Sequence, residues 1–228
     1  MSQVVNLSWR QTAELARPTN YTRNAYHAAS GVAVSGLILH LVSPTGMVIV
    51  AVAFAVAAWL AETTRRIWPG VNAALMMVWG KTAHPHEFTN VNSGTWIVTA
   101  MLIIALLYTP VVCAIGVVVC GFGDPVAAMV GRKFGRTHIT GGRTLEGTLA
   151  FVAIGALFAG LILVVYAPEI RWHYVLIVAV VAALTGALAE LFAPVDDNLA
   201  IPVASSTAGW LTMAALGLQP ELGFLFSL

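Results

Sequence analysis

Charge is what this chain has least of. Lys, Arg, Asp and Glu make up only 9% of its 228 residues, where an ordinary soluble domain carries about 25%. With 59% hydrophobic residues and a mean hydropathy of +0.85, the composition excludes a solvated globular domain and gives no basis for a nucleic-acid partner. Cysteine is also scarce. Cys113 and Cys120 lie seven apart in one apolar run, which fits neither a metal spacing nor a disulfide framework and reads as core packing. The apolar runs lack period-2 alternation, which argues against a β-barrel. No Walker A sequence or protein-kinase motif set occurs. Internal repeats are missing, as are the two matched broken helices of an inverted-repeat transporter. The first 23 residues have no apolar core of the kind a cleaved signal peptide needs.

The hydrophobic runs that are present predict an all-α, polytopic integral membrane protein. About 20 helical residues cross a hydrocarbon core, and runs of that order fall near 24–42, 46–61, 94–109, 110–130, 147–167, 172–192 and 199–217. The fourth is interrupted at Gly123-Asp124-Pro125, where a broken helix is expected, and the shorter run at 71–79 suits a re-entrant or interfacial piece. Seven spans with the N-terminus inside and the C-terminus outside put ten of the eleven basic residues on the cytoplasmic face, leaving Arg171 alone outside. Such a bias is what cytoplasmic loops show, and one span more or fewer scatters it. No linker divides the chain, so a single transmembrane helical domain over 1–228 is expected, with 1–23 as a cytoplasmic N-terminal segment. In that segment Val5, Trp9, Ala13 and Ala16 share a helical face, which suits a short surface helix or, equally, a disordered arm.

Polar residues collect on the predicted inner face. Asp124 follows Gly121 and Gly123 and precedes Pro125, a sequence suited to an N-cap and a first helical position, and an acid there caps a helix, binds Mg²⁺, or does both. Residues 131–143 hold Arg132, Lys133, Arg136 and Arg143 without one acid, and Gly131, Gly135, Gly141 and Gly142 among them. Such a loop either wraps an anion, with backbone N–H groups converging as a nest, or is an ordinary positive-inside loop touching lipid headgroups. Thr144 is the expected N-cap of the next span, and Glu146 at its second position favours the helix dipole or serves as a metal ligand or base. Glu190, Asp196, Asp197 and Asn198 offer the hard oxygen ligands that Mg²⁺ prefers, or form a capped turn in which Asp197 or Asn198 is the cap. Glu62 with Arg65 and Arg66 reads first as a solvated ion pair at a span end. Glu87, Asn90, Asn92 and Thr95 precede the third span, and Arg23 with His27 begins the first. His84 and His86 flank Pro85 and match no zinc spacing. Phosphoryl transfer uses this inventory well, because its catalysis is chiefly positioning and charge stabilisation.

Gly123-Asp124 with Ala127-Ala128 and Gly131-Arg132-Lys133-Phe134-Gly135, then Arg143-Thr144-Leu145-Glu146-Gly147, then Glu190 with Asp197-Asn198-Leu199-Ala200-Ile201-Pro202, resembles the polyprenol kinase family of dolichol kinase, phytol kinase and CTP-dependent diacylglycerol kinase. Arg23, His27, Glu62, Arg65, Glu87 and Gly94 extend the likeness in order; Arg143 stands where a Lys is expected in many relatives. The resemblance implies transfer of the terminal phosphate of CTP to the hydroxyl of a membrane lipid alcohol, with Mg²⁺, at the cytoplasmic face of a bacterial or archaeal plasma membrane. On that basis Asp124, Asp197, Glu190 or Asp196 hold the metal. Arg132, Lys133, Arg136 and Arg143 hold the triphosphate, with Gly141, Gly142, Thr144 and Asn198 beside them. Glu146 orients the lipid hydroxyl, with Glu62 or His27 as substitutes. Two other readings are phosphatidate cytidylyltransferase, whose longer Lys- and Asp-rich signature is missing here, and a transporter without nucleotide turnover.

Overall fold

The computed structural model describes residues 21–41, 43–79 and 90–218. The proposed N-terminal surface helix, His84, His86 and Glu87 lie outside these residues. Among the described residues the regular structure is helical throughout: α1 (Tyr21–Gly36) running into a π turn (Leu37–Leu41), α2 (Pro44–Ile67), α3 (Pro69–Trp79), α4 (Ser93–Leu107), α5 (Pro110–Val118), a π turn (Val119–Gly123), α6 (Asp124–Phe134), a 3₁₀ turn (Thr140–Gly142), α7 (Leu145–Tyr166), α8 (Trp172–Phe192) and α9 (Asp197–Ala215).

Capping chemistry sets most of the boundaries. Ser43 accepts from the Gly46 N–H at 3.0 Å with Pro44 in the first turn of α2, Asn92 accepts from Gly94 before α4, and Thr144 accepts from Gly147 before α7. Each satisfies a backbone donor that the first helical turn leaves open. The α2 helix stops at Trp68, which is extended (φ −116°, ψ 107°), because the ring of Pro69 disfavours a helical residue before it. The same holds for Thr109 before Pro110 (φ −71°, ψ 160°).

The expected break at Gly123-Asp124-Pro125 does not occur. Pro110–Phe134 forms one apolar helical stretch of 25 residues, and both Gly123 (φ −62°, ψ −55°) and Asp124 (φ −60°, ψ −50°) are helical. Asp124 is therefore inside a helix rather than capping one. A proline within a helix removes a donor and presses its ring on the carbonyl one turn back, and the widened π turn immediately before Asp124 relieves both conflicts without ending the helix. This α5–α6 stretch is the centre of the bundle: 72% of its apolar window is buried, against 22% to 44% for the other three long apolar helices.

Four helices are long and apolar enough to cross a membrane: Pro44–Ile67, Pro110–Phe134, Leu145–Tyr166 and Trp172–Phe192. Of the other expected spans, α4 is apolar but only 15 residues long, α1 carries Arg23, Asn24 and His27, and α9 carries Asp197, Asn198 and four hydroxyl residues. The eleven-residue α3 is too short to span.

Helices in lipid are held by close packing rather than by a hydrophobic drive, so small residues mark their contacts. A Cβ on Gly116 would stand 2.5 Å from the Pro202 carbonyl oxygen and 2.2 Å from Ser206 Oγ, where α5 crosses α9. Gly31 of α1 meets Gly121 of the π turn backbone to backbone, and Gly186 of α8 abuts Ser205 of α9. The Ser206 hydroxyl donates to the Val112 carbonyl at 3.1 Å and closes the α5–α9 contact. Gly116→Ala is expected to cost about 1–3 kcal/mol through overpacking against backbone, read as a lower melting temperature in detergent. Gly36→Ala, with nothing within 4 Å of its new Cβ, serves as the silent control.

Candidate active site

The start of α6, the 135–144 loop, the end of α8 and the start of α9 meet at one end of the bundle, with the Arg143 guanidinium between them. Its Nη1 lies 2.5 Å from Glu190 Oε1 and 3.9 Å from Asp124 Oδ1, and its Nη2 donates to Asp197 Oδ2 at 2.6 Å. Glu190 is buried, whereas Asp124 and Asp197 keep partial exposure. Burial alone would pull the Arg143 guanidinium down. Glu190, Asp124 and Asp197 more than offset that loss and hold it above its ordinary value. The buried Cys120 lies one turn before Asp124 and within electrostatic reach of Asp124, Asp197, Asp196 and Glu190.

Asp196 and Asn198 serve the local backbone. Asp196 Oδ1 accepts from the Asn198 N–H at 2.9 Å and from Asn198 Nδ2 at 2.8 Å, which makes Asp196, not Asp197 or Asn198, the cap of α9. Capping by the preceding acid leaves the Asp197 carboxylate to reach Arg143.

The 135–144 loop is a tight reversal. His138 and Thr144 form an isolated antiparallel bridge, Ile139 N–H donates to the Arg143 carbonyl at 3.0 Å, and Leu145 N–H donates to the Thr137 carbonyl at 2.9 Å. Its turn falls on Gly141 (φ 63°) and Gly142 (φ 74°), left-handed positions that favour glycine. Gly131 and Gly135, expected as part of an anion nest, are spent on packing instead: a Cβ on either would strike Thr144, and on Gly135 also the Gly131 carbonyl oxygen at 2.2 Å. They bring α6 close to the start of α7.

Lys133 and Arg136 are exposed and, with Phe134 and Glu146, line an open cleft of about 440 Å³. Arg132 is also exposed and feels the charges of Asp124 and Arg143 and the hydroxyl of Tyr21. Glu146 does not join the acids around Arg143. Both its carboxylate oxygens accept from the Thr137 N–H, at 3.2 and 3.3 Å. His27 lies beside the π turn, its carbonyl oxygen 3.2 Å from where a Gly121 Cβ would stand.

Glu62 sits in a second cluster, which is buried where a solvated pair was expected. Arg65 grips both its oxygens, Nε to Oε2 at 3.0 Å and Nη2 to Oε1 at 2.7 Å, with both side chains 2% exposed. Arg66 adds a third contact at 2.8 Å, and the Asn92 N–H a fourth at 3.2 Å. Arg65 also donates to Asn72 Oδ1 at 3.1 Å and to the Asn90 carbonyl at 2.6 Å. The cluster joins α2, α3 and the approach to α4. Sequence reasoning missed Asn72 as a partner, since nothing in its apolar surroundings marks it.

The metal expectation meets a specific obstacle. Carboxylates are the right donors for Mg²⁺, but among the described residues no three His, Cys, Asp or Glu side chains converge as a metal site. The oxygens of Asp124, Glu190 and Asp197 are aimed at the guanidinium instead, and as they stand they do not fit the ion.

Over 108 residues, 44% of this chain, the sequence is 34% identical to a phytol kinase of Synechocystis sp., of which the match covers 44%. The chain thus spans less than half the length of that relative. The match supports the resemblance to polyprenol and phytol kinases. No protein-family model matches the chain, and no solved structure does.

Removing one member of a buried ion pair strands the other. Glu62→Ala is therefore expected to cost about 3–5 kcal/mol and to lower the melting temperature in detergent. Arg66→Ala, at a side chain 47% exposed, is expected to cost less than about 1 kcal/mol. Equal effects of the two substitutions in a melting experiment would show that burial does not govern this cluster.

Proposed function

We propose that this protein is a CTP-dependent lipid kinase, transferring the terminal phosphate of CTP to the hydroxyl of a membrane lipid alcohol such as phytol, a polyprenol, dolichol or diacylglycerol. One observation carries the reading: Asp124, Arg143, Glu190 and Asp197, which come from three separate motifs, meet within ion-pair distance, next to the exposed basic side chains of α6 and the following loop. The likeness to a phytol kinase supports it. In this reading α1, α4 and α9 complete seven spans with the N-terminus inside, so that the site faces the cytoplasm.

Lys133 and Arg136, with Arg132, hold the polyphosphate over the open cleft, where their charge offsets that developing on the transferred group. Glu146 shares the cleft and sits in the first turn of α7. Leu145 and Leu149 of that helix are exposed and give the lipid tail an apolar surface, leaving its hydroxyl at the level of Glu146. The hydroxyl oxygen forms the new P–O bond, the bond from the γ-phosphorus to the β–γ bridging oxygen breaks, and CDP leaves. The hydroxyl proton passes to the Glu146 carboxylate. A Mg²⁺ ion arriving with the nucleotide would supply further neutralisation of the phosphate oxygens.

The test is transfer of label by the purified protein in detergent–lipid micelles, with γ-labelled CTP against γ-labelled ATP and a panel of phytol, geranylgeraniol, a long polyprenol and diacylglycerol. Label is expected in one lipid from CTP. Label from α-labelled CTP entering phosphatidate, with release of pyrophosphate, identifies a cytidylyltransferase instead, and silence in both assays rejects the nucleotide-dependent reading. Asp124→Asn is expected to lower transfer by at least about a hundredfold while the protein still folds. Near-normal turnover in that variant removes Asp124 from the chemistry.

A further inference from the structure

The Asn24 side-chain nitrogen, Nδ2, is shielded from solvent in the first turns of α1 and has no hydrogen-bond partner among the described residues. An amide donor removed from water and left unbonded destabilises the fold that holds it. Ser35, Ser205 and Trp210 also carry unpartnered donors, but they lie further along α1 and α9, away from the charged side chains. Packing fixes what Asn24 faces. Gly31 meets Gly121 backbone to backbone, the His27 carbonyl lies against the same glycine, and the Tyr21 hydroxyl is within electrostatic reach of Arg132, so α1 runs antiparallel to the central helix. Seven residues, two turns, back from Gly31 and forward from Gly121 set Asn24 level with Ala128, whose methyl group can accept no bond. Asp124, Ala128 and Arg132 recur every four residues and share one side of α6, while Gly131 and Gly135 turn toward Thr144. Asn24 therefore stands beside the stripe that runs from Asp124 to Arg132. Its neighbour Arg23 donates from Nη2 to Ser93 Oγ at 3.1 Å, which ties the turn carrying Asn24 to the start of α4.

We infer that the Asn24 amide is a further ligand for a polyphosphate, donating to a phosphate oxygen that Arg132 holds at the seam of α1 and α6; the identity of the anion rests on the kinase reading. A phosphate oxygen supplies what the amide lacks. Hydrogen bonds to a charged acceptor are the strong ones, and an amide already desolvated and held in place loses little freedom in making one. Arg132 is exposed and brings the anion to this side of α6, with the Tyr21 hydroxyl as a second neutral donor nearby. Lys133 and Arg136 hold the transferred phosphate in the cleft beside Glu146, so Arg132 and Asn24 take the phosphates behind it, nearer the nucleoside.

The experiment is thermal melting of the purified full chain in uncharged detergent micelles with EDTA, over a series of sodium tripolyphosphate concentrations. A ligand that binds the folded state raises the melting temperature by an amount set by its affinity. No nucleotide, lipid acceptor or metal takes part, so the kinase reading fails in the label-transfer assay and this inference fails here. The unaltered protein is expected to melt higher with tripolyphosphate. Asn24→Ala is expected to need at least about tenfold more of it for the same shift, and to melt no lower than the unaltered protein without it, since no bond at Nδ2 is lost. A packing role for Asn24 gives the reverse: a lower melting temperature with the response to tripolyphosphate intact. Thr22→Ala, at an exposed position on the other side of α1, controls for the gain in helix propensity and should leave the response unchanged. Asn24→Asp keeps the shape of the side chain but replaces the donor by a carboxylate oxygen, and should lose the response, whereas Thr22→Asp adds the same charge and should keep most of it. Should Asn24→Ala melt lower as well as respond less, or not fold, Asn24→Asp decides. No response in the unaltered protein, an unchanged response in the deciding Asn24 variant, or an equal loss in its Thr22 counterpart overturns the inference. A shift given by phosphatidylglycerol in the micelle and not by tripolyphosphate overturns it too, and assigns the oxygen to a lipid headgroup.

Discussion

A guanidinium shared by three carboxylates is the interaction on which the organisation of this bundle's polar end depends. Ionisable groups at the edge of a membrane domain cost too much to be left uncompensated, and here one arginine serves acids from three helices. The arrangement requires that the start of α6, the end of α8 and the start of α9 lie within the span of one planar fork. The tight crossings supply that constraint: Gly116 against Pro202 sets α5 on α9, and Gly186 against Ser205 sets α8 on α9. The π turn at Val119–Gly123 then lets the central helix run through Pro125, so that Asp124 is presented from a continuous helix rather than from a flexible break.

Much of this was legible in the chain. The apolar runs announced a helical membrane protein, and Thr144 announced the start of α7 because capping chemistry is local. Charge bias placed Asp124, Arg143, Glu190 and Asp197 on one face, and the structure brings those four together. What local rules could not show was how neighbours would alter them. Pro125 signals a break in any isolated helix, and only a widened turn packed against α1 and α7 converts it to a passage. Gly131 and Gly135 looked like parts of an anion nest with Gly141 and Gly142, yet the first pair is taken up by Thr144 and only the second pair adopts the left-handed backbone of a turn. Glu62 and Arg65 have the spacing of a solvated surface pair. Their burial depends on Asn72, Asn90 and Asn92, which lie 7 to 30 positions away from their partners.

The two arginine clusters of the structure differ physically in how completely their charges are met. Around Arg65 every bond is short and saturating: one carboxylate gripped at both oxygens, an amide and a backbone carbonyl, with the group almost fully buried. Among Glu62, Arg65 and Arg66 the formal excess of one positive charge, two minus one, falls to the half-exposed Arg66 and is met by solvent, so removing either buried partner destabilises. Around Arg143 the contacts are unequal, 2.5 and 2.6 Å to two acids and 3.9 Å to the third. The acids outnumber the guanidinium, and the residue directly follows the turn made by Gly141 and Gly142. The arrangement is electrostatically incomplete in isolation, held in place by the hydrogen bonds of the loop reversal at Arg143 as much as by the acids themselves.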